Sequence, residues 1–92
     1  MDKQIGIGTV VLSKCGRDKG RYFMVCQVTG DGYVFLADGS MRKLASPKKK
    51  KIKHVAATND RLHAIAEKLA NGKKVFDSEL RSAFKAYNDK KE

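Results

Sequence analysis

Between Gly8 and Val28 the chain reads Gly-Thr-Val-Val-Leu-Ser-Lys-Cys-Gly-Arg-Asp-Lys-Gly-Arg-Tyr-Phe-Met-Val-Cys-Gln-Val. Two apolar, β-prone runs, Thr9–Leu12 and Tyr22–Val28, flank a connection in which Gly16 and Gly20 enclose Arg17, Asp18 and Lys19. Apolar runs bounded by glycines read as strands joined by a tight loop, because glycine takes up positive φ without a steric penalty. The segment therefore specifies two antiparallel strands with a pinched, cationic loop at one end.

Further strands follow at short intervals. The first is expected over about Ile7–Ser13 and the second over Arg21–Thr29, and Gly30-Asp31-Gly32 then supplies the positive-φ positions of a hairpin turn. Tyr33–Ala37 reads as the third strand, Asp38-Gly39-Ser40 as another turn, and Met41–Ala45 as a fourth strand interrupted by Ser46-Pro47. After a lysine run, Ile52–Ala56 reads as the last strand. Short strands with turns at this spacing suggest a closed or nearly closed small barrel. The period then changes. Leu62, Ile65, Ala66 and Leu69 form one helical stripe with Thr58 as its cap, and Leu80, Ala83, Phe84 and Tyr87 form a second with Asp77 as its cap. Val75 and Phe76, between the helices, should pack under the turn, and Asn88–Glu92 should fray. The barrel is assigned to residues 1–57 and the two helices to 58–92, packed together as a single domain.

Gly8, the apolar residues after it, Gly16, Arg17, Lys19, Gly20 and the Phe23–Val28 run resemble a KOW motif. That motif belongs to a small SH3-like barrel found in several ribosomal proteins and in NusG-type transcription factors. The continuation, Gly32-Tyr-Val-Phe-Leu-Ala-Asp-Gly39 and a lysine-rich segment ending Lys53-His54-Val55, is similar to the ribosomal protein L14e-like group, whose members bind large-subunit ribosomal RNA. The resemblance covers about residues 5–57. It implies an α+β fold, a small SH3-like (KOW) antiparallel β-barrel followed by two C-terminal amphipathic helices, with the glycine loop as an RNA-contact element.

Charge agrees with that implication independently. The 92 residues carry 20 Lys+Arg against 10 Asp+Glu, a net charge of +10. Most of the excess lies in residues 1–58, where twelve basic side chains face four acidic ones. A basic domain with its charge concentrated in one half has the electrostatic footprint of a nucleic-acid binder. The candidate RNA-binding residues form two groups: Lys14, Arg17, Lys19 and Arg21 around the loop, and Arg42, Lys43, Lys48, Lys49, Lys50, Lys51 and Lys53 beyond it, with Gly8, Gly16 and Gly20 serving geometry. Asp18 is expected to organise the turn through its backbone N–H groups rather than to contact RNA. Core packing is the expectation for Tyr22, Phe23, Tyr33 and Phe35; both faces of the second strand are equally apolar, so alternation does not tell which aromatic is outside. Tyr33, at a turn, is the better candidate to stack on an unpaired base.

Other functions find little support. No nucleophile elbow, Walker loop, paired-carboxylate spacing or His-Glu-x-x-His is present, and no catalysis is expected. Ten residues separate Cys15 from Cys26 and eight separate His54 from His63, without the short chelating pairs of structural zinc sites, so neither metal nor other cofactor is expected. No apolar run reaches the ~20 residues that span a bilayer. The expectation is a monomeric cytoplasmic protein bound to RNA, ribosomal by resemblance, with the helices free to brace the barrel or meet a protein. The main alternative is a protein-interaction module of the transcription or translation machinery that binds an acidic partner. DNA binding by the two helices ranks last, since their connection is longer than a helix-turn-helix allows.

Overall fold

The computed structural model describes residues 5–89, with side chains to residue 85. Five strands and two helices follow one another: β1 Thr9–Ser13, β2 Tyr22–Val28, β3 Tyr33–Ala37, β4 Lys48–Lys51, a 3₁₀ turn at Ile52–His54, β5 Val55–Arg61, α1 His63–Ala70 and α2 Asp77–Asp89. The class is α+β. The strands form one antiparallel sheet in the order β4-β3-β2-β1-β5. It does not close, because the 3₁₀ turn carries the chain away from β4 and delivers β5 to the far side of β1. No described helix is long and apolar enough to cross a membrane.

The equal hydrophobicity of the two faces of β2 has a direct explanation: both are buried. Val11, Phe23, Val25, Val34, Leu36 and Val55 pack together on one face, joined among the described residues by Ile5 and Ile52, so the sheet curls around its own side chains. Irregular register between Thr9 and Val11 on β1 and between Val25 and Gln27 on β2 fits this bending. On the other face Val10, Met24 and Ala37 meet Ile65 of α1 and Leu80 and Phe84 of α2, with Tyr22 and Cys26 half-buried alongside. Both helical stripes therefore face the sheet; Tyr87's side chain and the tail beyond Asp89 lie outside the described residues.

The expected and observed elements differ where side chains take over backbone hydrogen bonds. Met41–Ala45 is not a strand. Asp38 Oδ1 accepts from the Ser40 and Arg42 N–H groups (3.0 and 2.9 Å), and Asp77 Oδ1 accepts from Leu44 N–H (2.7 Å). With the alternate donors of Arg42 and Leu44 engaged there, the segment lacks the bonds that would pair it with a neighbouring strand, and the fourth strand is the lysine run, beginning just after Pro47. Thr58 caps no helix. It lies in β5, where its hydroxyl donates to Val10 O (2.7 Å) at the register shift, and α1 begins only at His63. Asp77, occupied by Leu44, leaves the capping of α2 to Glu79, which accepts from Phe76 N–H (3.2 Å). Val75 packs as expected, but Phe76 is 54% exposed under the Lys74 ammonium. α2 also continues through Asp89, past the point where fraying was expected.

Glu79 also receives a hydrogen bond from the Lys68 ammonium (2.6 Å), tying α2 to α1. That bond first, and the Phe76 N–H second, hold the Glu79 carboxyl below its ordinary range. A depressed folded-state pKa adds stability that is present above the unfolded value and lost as pH falls through the folded one. Glu79→Gln should therefore melt at a lower temperature than the parent near pH 7, and the difference should vanish below the carboxylate range of about pH 4. Thermal melts followed by circular dichroism at both pH values check this.

Candidate nucleic-acid interface

The fold brings the two groups of basic residues together around the β1–β2 loop. Ser13 and Arg21 close the loop base, with Ser13 N–H donating to Arg21 O (3.0 Å) and Gly20 N–H donating to Ser13 O (2.9 Å). Gly20 has φ +89°, and a Cβ there would meet nothing within 4 Å, so conformation alone demands glycine. Gly16 and Gly8 also have positive φ, and Gly8 answers to packing as well: a Cβ on it would stand 2.6 Å from the Ala66 Cβ of α1. Lys14 N–H donates to His54 O (2.9 Å), which sets the loop entrance beside the 3₁₀ turn and Lys53.

Lys50 is the centre of the arrangement. It belongs to β4 opposite Val34, points to the self-packed face, and is only 8% exposed. Its ammonium donates to Ser13 Oγ (2.7 Å) and Cys15 O (2.8 Å) and stands 3.8 Å from Asp18 Oδ2. This side chain thus joins β4 to the end of β1 where no backbone ladder does. Asp18, 1% exposed, also faces Lys48 at 3.3 Å and Arg42 at 3.8 Å. The Asp18 carboxylate accordingly gathers cations from β4 and the β3–β4 connection, a role beyond the turn organisation expected of it. One negative charge against three positive ones leaves the cluster cationic. Asp38, also buried, holds Arg21 at 3.4 Å.

These contacts divide the eleven candidate cations. Arg21, Arg42, Lys48 and Lys50 are engaged by the two buried carboxylates. Lys49 faces outward, its ammonium 4.6 Å from the centre of the Tyr33 ring. Lys14, Arg17, Lys19, Lys43, Lys51 and Lys53 are exposed, and their side chains form no ion pair among the described residues. The loop, the β3–β4 connection and the end of β4 thus present one cationic rim, with an interior set of charges fixing its shape. The anchoring roles of Lys50 and Asp18 escaped the sequence reading, although a lone acid inside a basic loop was the available signal.

Tyr22 is half-buried beneath the helices, whereas Tyr33 borders an open groove of about 510 Å³ with Asp31, Gly32, Lys51, Ile52 and Lys53. The cysteines lie apart in character. Cys15 is exposed at the loop, while burial, with the Asp77 charge, pushes the Cys26 thiol up to about 11 and keeps it protonated at neutral pH. No protein-family model matches the chain, and no curated protein matches it.

Two substitutions test the division of labour. Lys50→Met should cost about 2–4 kcal/mol, because it strands a buried carboxylate and leaves the Ser13 and Cys15 acceptors without their donor. Lys51→Met, on the exposed face of the same strand, should stay within about 0.5 kcal/mol of the parent. Urea denaturation separates the two. In the loop, Gly20→Val should cost about 1–3 kcal/mol through its forced positive φ, read from the same titration.

Proposed function

We propose that this chain is a non-catalytic RNA-binding protein with an SH3-like, KOW-type barrel, and that it associates with the ribosome by docking its cationic rim on structured ribosomal RNA. The observation that carries this reading is the convergence of unpaired cations from three separate segments on one rim: Lys14, Arg17 and Lys19, Lys43, and Lys51 with Lys53. A solvated surface would not need a buried carboxylate to gather its lysines, since holding charges in a fixed array costs desolvation and side-chain entropy.

The chemistry suits duplex RNA. A-form helices are recognised through shape, phosphates and 2′-hydroxyls, because side chains cannot reach into the deep major groove. Lysines supply point charges for phosphate, and phosphate contacts position a protein without reading sequence. The strand order, with a 3₁₀ turn between the two outermost strands, supports the SH3-like description, and the resemblance of the Gly8–Val28 segment to a KOW motif supports the ligand class. The two helices, seated on the outer face of the sheet, brace the barrel in this reading.

If six free cations meet phosphates, affinity for structured RNA should fall roughly a thousandfold between about 50 and 200 mM salt. Fluorescence anisotropy with a ribosomal RNA fragment measures the slope. In cell lysate resolved on a sucrose gradient, the protein should travel with the large subunit at low salt and be stripped by moderate salt. Absence from every ribosomal fraction at low salt overturns the ribosomal assignment and favours an acidic protein partner.

A further inference from the structure

Beside the cationic rim, the outward side of β3 and β4 has a different character. Pairing Tyr33 with Lys51 and Phe35 with Lys49 places two aromatic rings and two exposed lysines on the same side of the sheet, away from Val34, Leu36 and Lys50. Phe35 and Tyr33 are each only half-buried, and neither helix core cluster includes them. Tyr33 also lines the 510 Å³ groove, whose lining is mostly apolar and whose cations are Lys51 and Lys53.

The groove is built on a fixed frame. Thr29 N–H donates to Tyr33 O (2.9 Å), and Tyr33 N–H donates to the Thr29 hydroxyl (3.1 Å), which also contacts the Asp31 carboxylate. Ile52 N–H donates to Gly32 O (2.9 Å) and ties the 3₁₀ turn to the hairpin. Hydrogen bonding to Thr29 lowers the Asp31 carboxyl from its ordinary value, so at neutral pH it offers an acceptor at the rim for an amino group. An ammonium over an exposed ring is a weak contact, weaker than the stacking of a nucleobase on the same ring. A base that displaces Lys49 therefore gains stacking and frees that charge for phosphate.

We infer that the Tyr33 groove is a stacking subsite for one unpaired RNA base, adjoining the rim that holds the phosphates of the neighbouring duplex. The inference rests on the RNA-binding reading above. Charge complementarity calls for an anionic occupant, and the aromatic component favours a nucleotide: Lys51 and Lys53 line the groove beside Tyr33, and Lys49 stands over the Tyr33 ring. Lys53 is next to His54, whose carbonyl holds the loop entrance at Lys14, so a strand leaving the rim reaches the groove without a break in positive charge.

The test compares a fully paired RNA stem with the same stem carrying one bulged 2-aminopurine. The parent protein should bind the bulged stem about five- to a hundredfold more tightly, with quenching of the 2-aminopurine fluorescence. Tyr33→Phe should keep both effects; Tyr33→Leu should lose both while binding the paired stem as the parent does. Equal affinity of the parent for the two stems overturns the subsite and leaves the RNA-binding reading standing, a result that needs no variant to fold. Retained preference and quenching in Tyr33→Leu overturns it as well. Failure of the parent to bind either stem at low salt overturns both readings. Displacement of the bulged stem from the groove by a polyglutamate peptide, with Tyr33 resonances following the peptide and not the RNA, assigns the groove to an acidic protein instead.

Discussion

A buried ammonium does here what a backbone ladder does in a closed barrel. β4 and β5 have no hydrogen bonds to one another, so the end of the curled sheet would open unless side chains bridged it. Lys50 makes the bridge through Ser13 Oγ and Cys15 O, and the Asp18 carboxylate offsets its charge. Burying an ion in this way costs several kcal/mol unless its donors are satisfied and a counter-charge is close. Both conditions are met by Ser13 at the end of β1 and by residues of the β1–β2 loop, so the loop's shape and the bridging of the sheet's open end rest on one set of contacts. The rim of free cations inherits its rigidity from that linkage.

The second dependence is the covering of the sheet on its outer side. Val10, Met24 and Ala37 would form an exposed apolar surface without Ile65, Leu80 and Phe84 over them. The helices in turn have no other surface to bury against, and short isolated helices are marginal in water. Gly8 sets the distance between the layers on one side, since Ala66 occupies the space a side chain would need. Among the described residues, the helix-facing core takes in neither Tyr33 nor Phe35, and these half-buried rings lie on the sheet beside β4.

Much of this was legible in the residues. Tyr33–Ala37 is bounded by two Asp-Gly turns and forms a strand over those same residues. The stripes of Leu62–Leu69 and Leu80–Phe84 meet the sheet as their spacing requires. The lysine run was opaque because four identical residues carry no period; their alternation is imposed from outside, by Asp18 on one face and Tyr33 on the other. Met41–Ala45 misled because its Arg42 and Leu44 donors are claimed by Asp38 and by Asp77, the latter thirty-three residues from Leu44, a contact without a local signal. Thr58 misled likewise, since a capping residue and a residue that repairs a register shift have the same side-chain chemistry. Hydrophobicity on both faces of β2 was the one ambiguity that carried information, for it already announced a sheet covered on both sides.

β4 is an outermost strand, and its composition has a consequence for assembly. An unpaired strand edge invites another chain to extend the sheet, and proteins resist this by charging the edge. Four consecutive lysines would face four more if two copies met along β4, with two of each set already turned toward Asp18. Under the proposed RNA-binding reading, copies placed side by side on one RNA would be held apart at this edge by like charge.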